Sequence, residues 1–166
     1  KKDGKNLQCP YVEITDSPAF GWRGFLLDEA RNFQGKNEVK KLLDEMALLK
    51  MNVFHWHLTD DQGWRIEIKE YPLLTEIGGR RDSTQLNWYE STVYDGKPVS
   101  GYYSQKDIRE IIAYAADRHI KIIPEIEFPG HASAAIAAYP WLSCSKKQIS
   151  VPCGYGVLTT AFNVVN

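Results

Sequence analysis

Three short apolar segments alternate along this chain with two amphipathic helical patterns, and this alternation limits the fold more than any other feature. The apolar segments at 23–28, 51–57 and 120–126 have the length and composition of buried strands. Residues 37–50 carry apolar side chains at helical spacing, which predicts one buried face made of Val39, Leu42, Leu43, Met46 and Leu49. Residues 104–107 resemble a capping box, and the following stripe consists of Ile108, Ile111, Ile112 and Ala115. Strands and helices in this order form βαβ units, so the sequence predicts an α/β fold with about three parallel strands.

Ionisable side chains are concentrated after the second predicted strand. The run FHWHLTDDQGWR, from Phe54 to Arg65, holds two histidines, two adjacent aspartates, two tryptophans and an arginine. Adjacent carboxylates repel each other, so stability alone does not explain Asp60 beside Asp61. Such a cluster at the end of a buried strand is typical of an active site, because the carboxyl ends of the strands carry the catalytic residues of (β/α)8 barrels.

A second polar cluster follows the third predicted strand, in the sequence PEIEFPGH that ends at His131. Alternation along a strand places Glu125 and Glu127 on the same side. The Pro-Gly turn before the histidine lets the chain bend back, so that His131 can approach a carboxylate, which orients an imidazole and raises its basicity. Because the second and third strands are expected to be neighbours, we predict that Asp60 and His131 lie within side-chain reach of each other.

Two further features leave alternatives open. Arg23, just before the first predicted strand, carries a rigid fork of donors that suits two neighbouring hydroxyls or a carboxylate, and a structural salt bridge explains it equally well. His55 and His57 share one face of a strand and, with Asp60, have the composition of a metal site in barrel hydrolases. Such a site needs further histidines on later strands. The chain has only four histidines, so we predict no metal here.

The connection after the second predicted strand, residues 58–103, is long for a compact domain. Connections in α/β units usually have about 2–6 residues, and long ones are commonly functional. The aromatic side chains in this connection can stack on a ring-shaped ligand, but for most of them we expect a packing role over the mouth of the barrel. They are Trp64, Trp88, Tyr89, Tyr94, Tyr102 and Tyr103.

Composition limits the class of protein. With 166 residues, 43% of them hydrophobic, the chain can bury the core of one domain. The 20 basic and 21 acidic side chains give a formal net charge of -1, and no basic block is present, so we expect no binding to nucleic acid. No apolar run has the length of a membrane span.

The three cysteines make an odd count and do not have the spacing of a metal site. Cys144 and Cys153 are close enough in sequence for a disulfide, with Cys9 left over, and free buried thiols are an equally good interpretation. The cysteines therefore leave the cellular compartment open. Nothing in the sequence indicates a cofactor.

Three stretches resemble the motifs of the family-20 glycoside hydrolases, the β-N-acetylhexosaminidases, and occur in that family's order: RGFLLD from Arg23, HWHLTDDQGWR from His55 and PEIEFPGH from Pro124. The similarity extends over nearly the whole chain from about Val12, and the middle motif is highly specific. The resemblance implies a (β/α)8 TIM-type barrel that removes terminal N-acetylglucosamine or N-acetylgalactosamine from β-linked glycans. The localisation stays unknown, with an exported protein favoured over a cytoplasmic one.

The resemblance also implies roles for individual residues. In this family the 2-acetamido oxygen of the substrate attacks the anomeric carbon; an aspartate stabilises the acetamido group, and the neighbouring glutamate acts as general acid and then base. Matched by motif, Asp60 and His131 would form a relay that positions and tunes this glutamate. Arg23 would bind hydroxyls of the terminal sugar. Glu127 would support the histidine or contact the sugar, and His57 would contact the substrate.

The chain departs from the family pattern in three ways. Glu127 stands where the family often has aspartate, and Asn32 stands where it usually has histidine. The family's catalytic Asp-Glu pair, expected in a glycine-rich turn after the next strand, has no counterpart in this chain. A complete barrel takes roughly 250 residues. We therefore expect a single partial catalytic domain, an incomplete (β/α)8 barrel with a lead-in segment at about 1–20 and N-terminal βα units at about 21–166.

These observations support one leading hypothesis and two alternatives. The leading hypothesis is a glycoside hydrolase whose isolated chain is inactive, because the acid and the stabilising aspartate are missing. The alternatives are a non-catalytic sugar-binding or interaction domain and, less favoured, a metal-dependent barrel hydrolase. The expected partners are β-linked N-acetylhexosaminides, and an open edge of a parallel sheet would allow self-association.

Overall fold

The computed structural model describes residues 10–88 and 90–165, and the backbone of two short strands near the N-terminus. These strands, β1 (Lys2–Asp3) and β2 (Asn6–Leu7), pair antiparallel. Tyr89 of the long connection and Cys9 lie outside the described residues. The other elements, in chain order, are β3 (Gly24–Asp28), α1 (Lys36–Leu48), β4 (Val53–His57), β5 (Thr59–Asp60), β6 (Gly63–Trp64), α2 (Leu73–Glu76), β7 (Arg80–Arg81), β8 (Val99–Ser100), α3 (Gln105–Ala116), β9 (Lys121–Glu125), α4 (Ser133–Ala138) and a short 3₁₀ helix (Pro140–Leu142).

A parallel sheet of three strands lies at the centre of the structure, in the order β3-β4-β9. The three strands are the three apolar segments of the sequence, which confirms the predicted α/β class with parallel strands. The register aligns their last residues, with Asp28 opposite His57 and His57 opposite Glu125. The carboxyl ends of all three strands therefore meet at one edge of the sheet, which is where the polar motifs begin.

The main core lies between this sheet and helices α1 and α3. Val39, Leu43 and Met46 of α1 are fully buried in one cluster with Phe54 and Trp56 of β4. These residues follow the predicted helical stripe.

The stripe differs from the prediction at its end. Leu49, expected to be part of the buried face, is 70% exposed, because α1 ends at Leu48 and the chain turns away from the core.

Helix α3 begins at the capping box predicted from the sequence. The Ser104 hydroxyl accepts a hydrogen bond from the Asp107 amide, and the Asp107 carboxylate accepts one from the Ser104 amide. Ile111 is fully buried, but Ile112 of the same predicted stripe is 49% exposed. Ile112 instead lines an apolar groove of about 350 Å³ beside Pro124, along the open edge of β9.

The long connection after β4 is held to the sheet by Arg65, whose side chain is fully buried. Its guanidinium donates hydrogen bonds to four backbone carbonyls, those of Glu29 (3.1 Å), Ala30 (2.9 Å), Gly79 (2.6 Å) and Gly101 (3.1 Å). Burial lowers the pKa of Arg65 to about 10, so the guanidinium remains charged at neutral pH. One side chain thus joins the segment after β3 to the middle and to the end of the connection.

The aromatic residues of this connection divide into buried and exposed members. Tyr103 is buried in the main core, with its ring 4.7 Å from that of Trp56, as expected for a packing role. Trp88, Tyr94 and Tyr102 are between 46% and 65% exposed.

Two further expectations concern the membrane and the cysteines. Among the described residues, no helix is both long enough and apolar enough to cross a bilayer. Cys144 is exposed and Cys153 is half-buried, and both are free thiols. The disulfide that their spacing allowed is therefore not formed in this structure.

Candidate active site

The polar motifs converge at the carboxyl edge of the sheet. His57 ends β4, Asp60 follows it in β5, and Glu125 ends the neighbouring β9. His131 comes after β9, in the turn that leads into α4. Parallel pairing brings these groups together, because it places the end of each strand beside the end of the next.

Asp60 is the centre of the cluster and is 2% exposed. Its Oδ2 lies 2.6 Å from Arg31 Nη2 and 2.8 Å from His57 Nε2, and its Oδ1 accepts a 2.6 Å hydrogen bond from the Asp61 amide. Burial disfavours the charged form, but the hydrogen bonds from His57 and Asp61 and the charges of Arg31 and His131 outweigh it. The pKa of Asp60 therefore lies below its usual value, and the group is a carboxylate at neutral pH.

His131 lies beside this carboxylate, as the sequence predicted. Its Nδ1 is 3.2 Å from Asp60 Oδ1 and 3.4 Å from Asp61 Oδ2, and its side chain is 43% exposed. The predicted contact between Asp60 and His131 is confirmed. The imidazole therefore has one nitrogen directed at buried carboxylates and an exposed ring that other groups can reach.

Asp61 connects the loop after β4 to the start of α4. Its Oδ1 accepts hydrogen bonds from the Ser133 amide (3.0 Å) and the Ser133 hydroxyl (2.5 Å), and it is 1% exposed. This pair explains the adjacent aspartates: Asp60 contacts the imidazole of His131, and Asp61 fixes the backbone two residues further on. The sequence did not single out Ser133.

We expect Asp61→Ala to lower the free energy of unfolding by about 1–3 kcal/mol, because it leaves the buried donors of Ser133 without an acceptor. The measurement is urea unfolding followed by circular dichroism. Asp82→Ala is the matched control, since Asp82 is exposed and surface changes usually stay within about 0.5 kcal/mol. Equal effects of the two substitutions would contradict a structural role for Asp61.

Glu125 and Glu127 form a second acidic pair next to His57. Glu125 Oε2 lies 2.6 Å from His55 Nε2 and 2.9 Å from His57 Nδ1. Neither approach is aligned as a hydrogen bond, so both are close electrostatic contacts. Burial and the interaction with Glu125 raise the pKa of Glu127, whereas the pKa of Glu125 is lowered because its contacts with His57 and Glu127 outweigh its burial.

Glu127 lies on the His57 side of the cluster. Its Oε1 is 3.9 Å from His57 Nδ1, and its backbone amide donates to the Thr59 hydroxyl. The supporting role toward His131 implied by the resemblance stays a prediction.

Arg23 is not brought to this cluster. It precedes β3 at the amino end, whereas the cluster lies at the carboxyl end, about 15 Å away along a five-residue strand. Its guanidinium donates to the backbone carbonyls of Lys50 (2.6 Å) and Phe20 (2.6 Å). These bonds connect the start of β3 to the end of α1, so the side chain has a local structural role here. Binding of sugar hydroxyls by Arg23 stays a prediction.

Arg31 is a member of the site that sequence reasoning missed. It binds Asp60, and it also contacts Asp28 (2.9 Å), Gln62 (2.9 Å) and His57 Nε2 (3.3 Å). The sequence does contain a signal for this residue. Asp28 ends the first predicted strand and Arg31 follows three positions later, so the two side chains can meet within a single turn. Asn32, the neighbouring departure from the family pattern, is exposed.

Two groups of side chains have the spacing of metal ligands. The ligand atoms of His57, Glu125 and Glu127 lie within 4.8 Å of one another, and so do those of Asp60, Asp61 and His131. In both groups the histidine nitrogen faces a carboxylate oxygen at ion-pair distance. A metal needs a free imidazole lone pair, so a nitrogen that directs an N–H at a carboxylate is not available as a ligand, and this arrangement fits imidazole–carboxylate contacts better than a metal.

Comparison with known proteins identifies the family. Residues 20–166 match the catalytic domain of glycosyl hydrolase family 20. The chain belongs to this family. A β-hexosaminidase of Porphyromonas gingivalis is 52% identical over 151 residues, which cover 91% of the chain and 18% of that protein. A β-hexosaminidase of Vibrio furnissii is 50% identical over 143 residues, covering 86% of the chain and 23% of that protein.

Solved structures of family members share the fold. A crystal structure of a β-N-acetylhexosaminidase superposes with a TM-score of 0.83 at 39% identity, over 91% of this chain and 31% of that one. The family-20 β-N-acetylhexosaminidase of Streptomyces coelicolor A3(2) gives a TM-score of 0.78 at 38% identity, over 91% of this chain and 28% of that one. The chain thus spans between about a fifth and a third of the length of these relatives.

The arrangement of Asp60 and His131 is suited to moving or holding a proton. A carboxylate that accepts the N–H of an imidazole fixes its tautomer and orientation, and it stabilises the imidazolium when a proton is taken up at the other nitrogen. The exposed ring of His131 leaves that second nitrogen accessible to a group outside the cluster.

Proposed function

We propose that this chain supplies the proton-relay part of a β-N-acetylhexosaminidase active site, in an enzyme that removes terminal β-linked N-acetylglucosamine or N-acetylgalactosamine by substrate-assisted, retaining catalysis. The observation that carries the proposal is the 3.2 Å contact between Asp60 Oδ1 and His131 Nδ1 at the carboxyl edge of the sheet, in a chain of glycosyl hydrolase family 20.

In this proposal Asp60 and His131 act on a glutamate that the chain does not contain. Ionised Asp60 accepts the Nδ1 proton of His131, so the other ring nitrogen can take a hydrogen bond or a proton from the glutamate. That contact tunes the glutamate to donate a proton to the leaving oxygen and to accept one from water in the second step. The acetamido oxygen of the substrate is the nucleophile, and an aspartate beside the glutamate stabilises the charged intermediate.

The proposal assigns the chain to the N-terminal βα units of a (β/α)8 barrel, within a single partial catalytic domain. The three parallel strands, their aligned ends and the apolar groove along β9 support this assignment. A further βα unit would cover the groove and extend the sheet at its open edge. Glu127 remains a proposed contact to the sugar, and the activity of its alanine variant is the direct test. A sugar contact by Arg23 would require its side chain to leave the carbonyls of Lys50 and Phe20, and the activity of Arg23→Ala tests it.

The test is a chimera in which the matched part of this chain replaces the corresponding stretch of the Porphyromonas gingivalis β-hexosaminidase, whose sequence is 52% identical over 151 residues. We expect the chimera to hydrolyse a chromogenic N-acetyl-β-glucosaminide at a rate within about tenfold of the intact host. The isolated chain should not release the chromophore at a comparable rate, because general acid catalysis alone typically contributes about 10²–10⁴-fold.

Two outcomes would contradict this proposal. If the isolated chain were as active as the chimera, the acid would have to be among its own residues, and Asp60, Asp61 and Glu127 would be the candidates. If the chimera folded with the melting temperature of its host but were inactive, the relay would not be functional. Retained binding of N-acetylglucosamine in that inactive chimera would then favour the non-catalytic sugar-binding alternative.

A further inference from the structure

His57 has a carboxylate oxygen beside each of its two ring nitrogens, and its side chain is only 7% exposed. Nε2 lies 2.8 Å from Asp60 Oδ2, and Nδ1 lies 2.9 Å from Glu125 Oε2. Asp60 is ionised and can only accept, and its Oδ2 is nearer to Nε2 than the donor Arg31 Nη1, which lies at 3.3 Å, so Nε2 carries a proton. Glu125, whose pKa is lowered, is a carboxylate, and an unprotonated Nδ1 would lie 2.9 Å from its oxygen, closer than two unprotonated atoms approach, so Nδ1 carries a proton too.

The charges around His57 also favour a cation, and they come from every element packed against it. The carboxyl groups of four residues face it or lie close by, and one arginine and one further histidine also lie near it. These groups are Asp28 and Arg31 from β3 and the following turn, His55 from β4, Asp60 from β5, and Glu125 and Glu127 from β9 and the residues after it.

We infer that His57 is held as an imidazolium at neutral pH and is a positioning residue that orients Asp60 for the relay, an inference that rests on the proposed function. His57 and Arg31 both bind Oδ2 of Asp60, which turns Oδ1 toward His131. His57 therefore acts on the reaction through Asp60. This differs from the direct contact with substrate that the family resemblance implied for His57.

The titration behaviour of the group agrees with this geometry. Burial disfavours the charged form, but the hydrogen bond with Asp60, the close contact with Glu125 and the charge of Asp28 outweigh it and raise the pKa of His57 from 6.5 to about 9. Because the folded-state pKa is raised, the stabilisation that His57 provides is fully present below pH 6.5 and is lost as the pH rises through about 9.

The charge is tested in the unchanged 166-residue chain, so the result does not depend on a variant that folds. Through-bond nitrogen–proton NMR correlations of the His57 ring should show both nitrogens protonated from pH 6 to pH 8. A ring with one unprotonated nitrogen at pH 7 would overturn the inference. This measurement does not depend on enzymatic activity, so it determines the charge of His57 even if the proposed function is wrong.

A second measurement tests the charge through stability. The difference in unfolding free energy between the chain and its His57→Gln variant should be constant at low pH and should decrease between pH 6.5 and 9.5. His119→Gln is the matched control, because it is the same substitution at an exposed histidine. A difference that stays flat over this range would mean that His57 is neutral in the folded chain.

The positioning role is tested by kinetics in the chimera. His57→Gln should lower kcat about 10- to 100-fold and leave KM within about twofold, as expected for a group that orients a catalytic side chain without touching substrate. Combined with Asp60→Asn, it should cause no further loss, because both act through the same carboxylate. A rise in KM with unchanged kcat would instead assign His57 to direct substrate binding and overturn the inference.

Discussion

Asp60→Asn in the chimera with the Porphyromonas gingivalis enzyme is expected to lower kcat about 10²–10⁴-fold, the range over which a positioned general acid–base system contributes. The amide keeps the shape of the carboxylate but not its charge. It can no longer stabilise the imidazolium of His131, and it directs a donor at His57 or Arg31, which are themselves donors. KM should change less than kcat, because Asp60 is 2% exposed and acts through His131.

The control for this prediction is Asp82→Asn, the same chemical change at an exposed aspartate. It should leave both kinetic constants within about twofold of the chimera, since surface substitutions away from special features have small effects. If Asp60→Asn retained more than a tenth of the activity while the fold stayed intact, Asp60 would be a structural ion-pair partner rather than part of the relay.

Arg65→Met is expected to lower the free energy of unfolding of the chain by about 3–5 kcal/mol, the largest stability effect that we anticipate. Methionine nearly fills the same volume but donates nothing, so the carbonyls of Glu29, Ala30, Gly79 and Gly101 lose their donor in a fully buried position. These carbonyls lie in segments distant in sequence, so the loss of the four hydrogen bonds should release the long connection from the sheet.

Urea unfolding is the measurement, and Arg109→Met on the exposed face of α3 is the matched control, expected to change stability by less than about 0.5 kcal/mol. Arg65→Lys separates charge from geometry. Lysine keeps the positive charge but cannot reach four carbonyls with one planar fork, so it should lie between the wild type and methionine. If lysine were fully equivalent to arginine, charge alone would explain the role of Arg65.

The strands and helices were predictable because each carries its own periodic signal. Continuous apolar residues marked the three parallel strands, and the box at Ser104 and Asp107 marked the start of α3 through local hydrogen bonds. Even the contact between Asp60 and His131 could be expected, because neighbouring parallel strands end at the same edge. The prediction was wrong where the helical pattern continued past the end of the helix. Leu49 is exposed because α1 ends before it.

The hydrogen-bond and ion-pair partners of the buried charged side chains could not be predicted from the sequence. Arg65 and Arg31 each bind groups from segments that are far apart in sequence, and no periodicity predicts which carbonyl or carboxylate a long side chain reaches. Arg23 illustrates the reverse case. Its motif indicated a ligand contact, whereas its position at the amino end of β3 directs its guanidinium to the carbonyls of Phe20 and Lys50.

By itself, then, the sequence determined the α/β class, the location of the polar residues at the carboxyl ends of the strands, and the contact between Asp60 and His131. These features depend on local periodicity and on the rules of parallel sheets. Only the tertiary structure decided that His57 is enclosed by carboxylates and that Asp61 binds Ser133. The physical reason is that charge and hydrogen bonding in a buried site depend on every group within a few ångströms, and that set is defined only after the chain has folded.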